Sequence, residues 1–548
     1  MSAPLDRNYV PPEVSPESLV SVPDDGDIDT DVLVIGSGMG GGAMAWALRD
    51  SGFRVLLVER GGFLPREPEN AQPAEMHIKG RYKNAGLWYD GRTGKPFIPG
   101  TYYWVGGNTR FYGAALPRFR RCDFGEVQHA EGISPAWPFG YDELEPYYCL
   151  VERLFDVHGQ VGEDPTEPPH SSPYPHPPLE HEPAVERFAG SLRAEGLHPF
   201  HMPNALTVHT DQDRKAVATA DGCPDPTGRK ADAENRLVLP ALRRGVKLLR
   251  HATVTRLLTS PDGRHVVAAE ARHGDRTIRI NARRFVLAAG AVNSAVLLLR
   301  SACPAHPAGL GNSSGLVGRN YMVHNSTFLV GVDPFRVNDT QWQKTLGLND
   351  FYEASEHTPY PLGNVQMLGK LRGPMIKRAR RWVPMWLLDF MTRRSLDLYL
   401  TSEDLPSADN RVRIDGDRVL IDWTPNNLTA HRELVRRVTM LVRKAGYRLI
   451  FRQKMGIETN SHMCGTAVAG HDPATSVLNA ECRSHDVENL WLADSSFFPS
   501  SAALNPALTI AANAVRIAPS VIAGLSTRHE ARRSDGDGRQ RKQSTAGR

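Results

Sequence analysis

The sequence has little of what marks secreted, membrane-spanning or nucleic-acid-binding proteins. Its six cysteines form no CxxC pair, which argues against both a zinc site and a disulfide framework. No apolar run is long enough to span a bilayer, and the N-terminal segment lacks the basic and apolar regions of a secretion signal. The small net charge of +4 calls for neither nucleic acid nor an anionic membrane as partner. These absences lead us to expect a cytoplasmic protein.

What is present is ample core material. The chain has 548 residues, of which 41% are hydrophobic and 23% charged, the balance of a soluble globular protein too long for one ordinary domain. Residues 1–29 are rich in proline and acid and are expected to drape over the surface, whereas residues 526–548 are expected to form a disordered tail. Residues 163–183 are rich in proline and histidine. The spacing of their histidines favours a surface connection over a metal site.

Alternating strand and helix patterns predict an α/β fold in which a dinucleotide-binding domain is interrupted by a substrate-binding domain with an antiparallel sheet flanked by helices. The nucleotide domain is assembled from three separate stretches of sequence. The expected divisions are 29–150, 206–325 and 456–525 for the nucleotide domain, 151–205 for a connection and part of the substrate domain, and 326–455 for the rest of the substrate domain.

The clearest motif is a glycine loop between two apolar runs. Gly36, Gly38 and Gly41 follow the apolar run VLVI with the spacing G-x-G-x-x-G. The first glycine permits a tight turn, the second lets a pyrophosphate approach the backbone, and the third allows close packing of helix on strand. A second apolar run, VLLV, ends at Glu59, where a carboxylate can accept hydrogen bonds from a ribose. The pattern predicts dinucleotide binding and leaves NAD and FAD open.

Later motifs resemble the glucose-methanol-choline (GMC) oxidoreductase family over most of the chain. The segments that carry the resemblance are VERGG after the second run, YYWVGGNTRFYGAAL, LAAGAVNSAVLLLRS, SSGLVGRNYMVH, SHMCGT and LADSSFFPSSAALNPALTI. The sequence of these segments is most similar to that of bacterial pyranose-oxidase-like and glycoside-oxidising members. The resemblance implies FAD, bound by Gly36, Gly38, Gly41, Glu59, Arg60, Gly106, Gly107, Asn108, Thr109, Val254, Gly290, Asp494, Asn505 and Pro506. No metal ligand is predicted.

Two positions depart from the family pattern. Members that bind FAD covalently carry a histidine shortly after the glycine pair, where this chain has Arg110, Phe111 and Tyr112, so non-covalent FAD is expected. The second signature of the family has Ser/Thr-Pro where this chain has Ser294 and Ala295. The shape of that turn is therefore open.

The resemblance places His462 and Asn505 over the flavin as the catalytic pair. A neutral imidazole is a competent base near pH 7, and an amide can donate a hydrogen bond to a substrate oxygen. A structural histidine, an Asn505 that only caps the following helix, and an Asp494 that merely ends its strand are the alternatives. Cys464, two residues after His462, is not expected to be a nucleophile.

The predicted function is oxidation of a secondary alcohol, a hydroxyl of a sugar or glycoside, to a ketone, with oxygen or a quinone as electron acceptor. The alternatives are a sterol or other hydrophobic-alcohol oxidase, a hydroxynitrile-lyase-like enzyme with structural FAD, and a non-catalytic flavin-binding subunit. A homo-oligomer is compatible with the sequence. Residues 376–395 combine basic clusters with Trp382, Trp386 and Phe390; they are expected to form a lid or an oligomer contact, with a membrane surface as the alternative.

Overall fold

The computed structural model describes residues 4–84, 86–356, 358–377, 379–459 and 461–526. The tail expected at residues 526–548 lies outside the described residues, apart from Ser526.

The strands, in chain order, are β1 (Asp27–Asp29), β2 (Val32–Ile35), β3 (Val55–Val58), β4 (Trp88–Asp90), β5 (Pro96–Phe97), β6 (Val127–His129), β7 (Gly132–Ser134), β8 (Phe200–His201), β9 (Lys247–Leu249), β10 (Ala252–Thr259), β11 (Val266–His273), β12 (Arg276–Asn281), β13 (Arg284–Leu287), β14 (Asn325–Val332), β15 (Leu346–Leu348), β16 (Asn364–Met367), β17 (Ser395–Ser402), β18 (Arg411–Asp415), β19 (Arg418–Asp422), β20 (Leu449–Lys454) and β21 (Leu490–Leu492). The α-helices are α1 (Met39–Leu48), α2 (Tyr141–Leu154), α3 (Pro183–Ala194), α4 (Asp211–Ala216), α5 (Leu239–Arg243), α6 (Ala291–Arg300), α7 (Gly373–Lys377), α8 (Met385–Thr392), α9 (Leu428–Lys444) and α10 (Ala507–Ile522). Single turns of 3₁₀ or π-helix occupy Pro16–Ser18, Pro68–Ala71, Ala74–Lys79, Gly107–Arg110, Arg121–Phe124, Glu234–Val238 and Ser495–Phe497.

A five-stranded parallel sheet, in the order β21-β13-β2-β3-β9, lies at the centre of the largest core. Every residue of β2 and β3 is buried, because a parallel sheet covered on both faces needs apolar side chains on both. The uninterrupted apolar runs predicted these two strands. Strands β13 and β21 come from sequence more than 200 residues further on and end beside β2 at the same edge.

A four-stranded sheet, in the order β1-β12-β11-β10, lies beside the parallel sheet. Strands β10 and β11 form a hairpin, pairing antiparallel on either side of the turn at residues 260–265. The expectation that all of residues 1–29 only drape over the surface is wrong at its end. Asp27–Asp29 form β1 and pair with Arg279–Asn281, which satisfies backbone groups that a surface loop would leave to water.

A six-stranded antiparallel sheet, in the order β20-β14-β17-β16-β15-β8, forms the second core. Side chains alternate between its faces. Leu329 and Leu398 face a core that α9 completes with Leu434 and Val438, whereas residues from the other face, among them Phe328, line a large cavity. The remaining sheets are β18-β19-β4-β5 and the hairpin β6-β7.

The basic and aromatic segment at residues 376–395 is not one helix. Helix α7 ends at Lys377, and α8 begins at Met385 with Pro384 at its N-cap, because proline is tolerated at a helix start and not inside. No helix in the described part of the chain is long and apolar enough to cross a membrane.

Candidate active site

The glycine loop between β2 and α1 has the geometry that its sequence predicts. Gly36 adopts φ +102°, and a Cβ atom there would lie 2.4 Å from the carbonyl oxygen of Ala288. A Cβ atom on Gly41 would lie 1.8 Å from the carbonyl oxygen of Gly36, so this glycine lets α1 pack tightly on the loop. A Cβ atom on Gly38 would meet nothing within 4 Å. The loop therefore leaves open space above Gly38 at the start of α1, where free N–H groups favour an anion.

That space belongs to a cavity of about 1320 Å³. The cavity runs from the glycine loop to the six-stranded sheet. Its lining includes all but two of the predicted site residues: Gly36, Gly38, Glu59, Arg60, Gly107, Asn108, Thr109, Val254, Gly290, His462, Asp494, Asn505 and Pro506. The two that do not line it, Gly41 and Gly106, lie behind the residues that do, in close backbone contacts. A Cβ atom on Gly106, at φ +91°, would lie 3.0 Å from the backbone nitrogen of Glu234.

The Glu59 carboxylate binds the glycine loop itself. One oxygen accepts hydrogen bonds from the backbone N–H of Ser37 (3.1 Å) and from its hydroxyl (2.6 Å), and the other accepts from the N–H of Gly61 (2.9 Å). Burial raises the pKa of Glu59, and these hydrogen bonds oppose that shift. Since an ionised carboxylate offers about four acceptor positions, roughly one remains for a ribose hydroxyl.

The glycine pair after β5 closes the cavity over the glycine loop. A Cβ atom on Gly107, at φ +57°, would lie 3.0 Å from the Cα atom of Gly38, so the two loops are in backbone contact. Asn108 holds the turn by accepting from the N–H of Tyr102 at 2.9 Å. Phe111 stacks on Tyr102 with ring centroids 3.8 Å apart. An aromatic stack occupies the stretch where covalently linked members of the family carry their histidine.

The hydrogen-bonding positions of the Asp494 carboxylate are filled by groups of this chain. It accepts from the N–H of Gly290 (2.9 Å) and the hydroxyl of Ser294 (2.5 Å), and from both the N–H and the hydroxyl of Ser496. It therefore fixes the turn before α6, where Gly290 at φ +85° leaves room for a ligand. The shape left open by the Ser294-Ala295 departure is settled: both residues lie inside α6, and Ser294 bonds the carboxylate.

His462 forms a pair with His324 that the sequence alone did not indicate. Their Nδ1 atoms lie 3.1 Å apart, and Nε2 of His324 lies 3.2 Å from the carbonyl oxygen of Ser501. A carbonyl oxygen only accepts, so Nε2 of His324 carries the proton. Burial lowers the pKa of His324 to about 4, so the ring is neutral and its Nδ1 accepts. His462 must then donate from Nδ1, which leaves the lone pair on its Nε2.

Asn505 lies at the end of a buried chain of amide groups. Its Oδ1 accepts from Nε2 of Gln366 at 2.9 Å. Gln366 also donates to Asn364, Asn364 donates to Asn349 at 2.7 Å, and Asn349 donates to Asp164 at 2.6 Å. The alternative in which Asn505 caps α10 is wrong, because the N-cap is Pro506 and the helix has no side-chain cap. With Oδ1 bonded, Asn505 keeps its NH₂ group as a donor.

The end of the cavity away from the glycine loop has both apolar and basic walls. The apolar wall comes mainly from residues 371–391, with Leu371, Met375, Ile376, Ala379, Val383, Leu387, Leu388 and Met391. The charged lining there includes Lys344, Arg380, Arg452 and Lys454 against Asp221 and Glu458. Asp221 is already paired with Lys344 at 3.2 Å. Part of the segment 376–395 thus lines the cavity, and its role as a lid stays a prediction.

The remaining polar candidates lie elsewhere or are inert. In the described part of the chain, no three His, Cys, Asp or Glu side chains are grouped to hold a metal ion. His170 bonds Glu167, and His176 stacks on His158. Cys464 is buried, and burial raises the pKa of its thiol well above the ordinary value. A thiol held protonated is a poor nucleophile.

Two residues that contact the predicted catalytic pair, His324 and Gln366, were not indicated by the sequence. His324 ends the segment SSGLVGRNYMVH, which carried the resemblance as a whole, and nothing marked its last residue. Gln366 lies in β16, a four-residue strand in which every residue is buried. No motif surrounds it, and its strand neighbours, Gly347 of β15 and Tyr399 of β17, are brought to it by the fold.

The chain matches three family descriptions. Residues 199–326 and 406–514 match the N-terminal and C-terminal parts of GMC oxidoreductase, and residues 34–64 match an NAD(P)-binding Rossmann-like domain. Paromamine 6'-oxidase from Streptomyces fradiae is 34% identical over 92% of this chain and 94% of its own length. The 6'''-hydroxyparomomycin C oxidase of Streptomyces lividus is 32% identical over 90% of this chain and 92% of its own.

Solved structures agree on the fold. Pyridoxine 4-oxidase from Mesorbium loti superposes with a TM-score of 0.64 at 20% identity, covering 91% of this chain and all of that one. Together the matches span the glycine loop, the cavity and the His462 region. The open space at Gly38 and Gly290 and the acceptor at Glu59 fit a dinucleotide, and in this family that dinucleotide is FAD. The chain is a member of the GMC oxidoreductase family, FAD-dependent enzymes that act on CH–OH groups.

Proposed function

We propose that this chain oxidises a hydroxyl group of an uncharged sugar or glycoside, with His462 as the base. The observation that carries the proposal is the orientation of His462. Its Nδ1 donates to His324 at 3.1 Å, so the lone pair of Nε2 is left for a hydroxyl proton in the same cavity that the glycine loop opens. A histidine whose tautomer is fixed by a neighbour keeps the same nitrogen unprotonated and available to accept the substrate proton.

Asn505 complements the base. The amide chain behind Gln366 holds Oδ1, so the NH₂ group is the part of Asn505 that can bond a substrate oxygen. When bound, FAD supplies a hydride acceptor at its flavin N5. His462 takes the hydroxyl proton as the hydride leaves the carbon, and Asn505 holds the oxygen through that change. Positioning of this kind accounts for much of the rate enhancement in such sites.

The charge of the cavity supports an uncharged substrate. Beyond the buried Asp221–Lys344 pair, the charged lining there includes Arg380, Arg452 and Lys454, with Glu458 as the one carboxylate among these. Cations along the cavity repel a polycationic ligand, most strongly at low ionic strength. The two Streptomyces relatives are named for paromamine and hydroxyparomomycin, and for this chain we propose a glycoside without ammonium groups.

The test is anaerobic mixing of the FAD-loaded protein with neutral sugars, neutral glycosides, paromamine and sterols, with the flavin absorbance followed. We expect bleaching by a neutral sugar or glycoside, and a ketone as the product of a secondary hydroxyl. Bleaching by paromamine alone contradicts the uncharged substrate. An absence of bleaching by every alcohol contradicts oxidation and leaves a lyase or a flavin-binding subunit.

His462→Ala isolates the base. The variant should keep its FAD spectrum and lose flavin reduction by about 10²-fold or more, the contribution of a general base. The matched control is His471→Ala, which removes an exposed histidine of the same C-terminal stretch. The flavin of this variant should be reduced at the wild-type rate. Unchanged reduction in His462→Ala removes His462 from the proposal.

A second candidate is a hydrophobic alcohol such as a sterol. The apolar wall contributed by residues 371–391 favours it, because apolar surface that meets an apolar ligand leaves water favourably. The sterols in the screen decide between the two.

We also propose that FAD is held without a covalent bond, since Phe111 stacks on Tyr102 in the stretch where a linking histidine would lie. Acid precipitation should leave the yellow colour in the supernatant. Colour that stays with the pellet contradicts this.

A further inference from the structure

The segment that forms the apolar wall of the cavity also carries an exposed aromatic surface. Trp382 is 97% exposed, Trp386 is 70% exposed and Phe390 is 40% exposed. They are spaced four residues apart, and the last two lie on the same side of α8. Leu388, on the other side, is 2% exposed and lines the cavity. Large exposed aromatic side chains in a group mark a surface that binds something.

The charge around these aromatics is strongly positive. Residues 371–395 hold seven Lys and Arg against one Asp, a net charge of +6. Strand β20, the edge strand of the six-stranded sheet, adds Arg452 and Lys454. It is joined to the segment by a hydrogen bond of 3.0 Å from Arg380 to Gln453. Since the whole chain carries only +4, this segment holds more net positive charge than the whole chain, and the remainder of the sequence sums to −2.

The combination of exposed aromatic side chains and positive charge indicates which kind of partner binds this surface. A symmetric contact with a second copy would place this positive surface against itself, since a twofold interface pairs the same patch on both subunits, and like charges repel. The cores of protein interfaces are depleted in charge. Here the exposed Arg381 precedes Trp382 in the sequence, and the exposed Arg393 is one helical turn from Phe390. The guanidinium of Arg394 lies 3.9 Å from the centroid of the Phe390 ring. Aromatic side chains inserted among cations are what an anionic lipid headgroup layer accommodates.

We propose that Trp382, Trp386 and Phe390, together with Arg381 and Arg393, dock this protein on the surface of an anionic phospholipid bilayer. The docking is peripheral. Because the opposite side of the same segment lines the cavity, the docked protein turns a cavity wall towards the lipid.

The test is sedimentation of the full-length, FAD-loaded protein with vesicles. We expect it to pellet with phosphatidylcholine vesicles that contain about one-third phosphatidylglycerol, and far less with phosphatidylcholine alone. Added salt should release it, because charge attraction is screened. Wild-type protein that stays in the supernatant with the anionic vesicles overturns the proposal.

Two pairs of variants separate the aromatic from the basic contribution. Trp382→Ser combined with Trp386→Ser should lower the partition coefficient at least about tenfold, whereas Ile133→Ser, which removes a side chain 48% exposed on β7, should leave it unchanged. The proposal is contradicted if the double tryptophan variant pellets with the anionic vesicles as the wild type does.

Charge reversal at Arg381→Glu and Arg393→Glu should also lower the partition coefficient at least about tenfold. The exposed Arg153 and Arg272, reversed in the same way, serve as the matched control and should have no effect. Two further outcomes overturn the proposal: a change of oligomeric state in light scattering caused by the tryptophan variant, which indicates a contact between copies, and binding to polyglutamate in preference to vesicles, which indicates an acidic protein.

Discussion

The side-chain oxygen of Asn505 accepts a hydrogen bond of 2.9 Å from Nε2 of Gln366. This contact decides which end of the Asn505 amide is available in the cavity. Gln366 is itself held by Asn364, and through Asn349 the chain of amides reaches the buried carboxylate of Asp164. An ionised carboxylate only accepts, so the direction of each bond in the chain is set from Asp164 towards Asn505. Asn505 is thus oriented from outside the cavity.

Gln366→Leu is therefore expected to slow flavin reduction while the FAD spectrum stays intact. Leucine retains the bulk but cannot donate, so the Asn505 amide is free to rotate its oxygen towards the substrate. We expect about a tenfold loss in the rate of reduction at saturating substrate, equivalent to about 1.4 kcal/mol. Gln343→Leu removes another buried amide that donates to Asp397, and serves as the control for a general loss of stability. An equal loss of rate in both variants contradicts the positioning role of Gln366.

The pH dependence of flavin reduction tests the His462–His324 pair. Burial, together with the neighbouring His324, lowers the pKa of His462 well below the ordinary value. The ring therefore stays neutral, with the lone pair of Nε2 available, as the pH falls. The rate of reduction should be constant from about pH 8 to below about pH 6, whereas an ordinary histidine is half protonated near pH 6.5. Stopped-flow reduction at several pH values measures this. A midpoint near pH 6.5 means that His462 is not the base or is not buried.

His324→Phe provides the matching variant. It removes the acceptor for Nδ1 of His462, so the tautomer is no longer fixed, and the rate of reduction should fall by about tenfold or more at every pH. A change confined to low pH contradicts the tautomer argument.

Much of the nucleotide-binding end could be predicted from sequence because its signals are local. Every residue of the runs VLVI and VLLV is buried, Gly36 and Gly41 are each required by a close contact with a backbone oxygen, and Gly38 leaves open space at the start of α1. The placement of His462 and Asn505 in one cavity followed from family motifs. The partners of those two residues could not be predicted, because the fold brings them together across long separations: His324 reaches His462 over 138 residues, and Gln366 reaches Asn505 over 139.

Gly38→Ala tests the phosphate cradle. A methyl group there meets no atom of the chain within 4 Å, so the variant should fold with an unchanged melting temperature in the FAD-free form. The methyl group occupies space that a pyrophosphate needs for close approach to the backbone. The dissociation constant for FAD should rise at least about tenfold in fluorescence titration. Gly140→Ala, where a Cβ atom also meets nothing within 4 Å, should bind FAD like the wild type, and a Gly38→Ala protein that does the same contradicts the cradle.

The last prediction concerns acid stability and a histidine outside the active site. His431 lies in α9, buried between the hydroxyls of Thr327 and Ser402 at 2.8 Å and 3.0 Å, and burial lowers its pKa to about 4. The unfolded chain takes up a proton near pH 6.5, whereas the folded protein does not until about pH 4. Folding stability contributed by the neutral ring is therefore complete above pH 6.5 and is lost as the pH falls towards 4.

For His431 alone, the loss between pH 7.5 and pH 5 amounts to about 2 kcal/mol in the free energy of unfolding. His431→Gln can still bond the hydroxyls but does not titrate, so its stability should fall by about 2 kcal/mol less over that interval, whatever its stability at pH 7.5. Urea unfolding of both proteins at the two pH values gives the comparison. Parallel losses in the two proteins would show that His431 has the same pKa in the folded and the unfolded protein, because only a group whose pKa differs between the two states makes stability depend on pH.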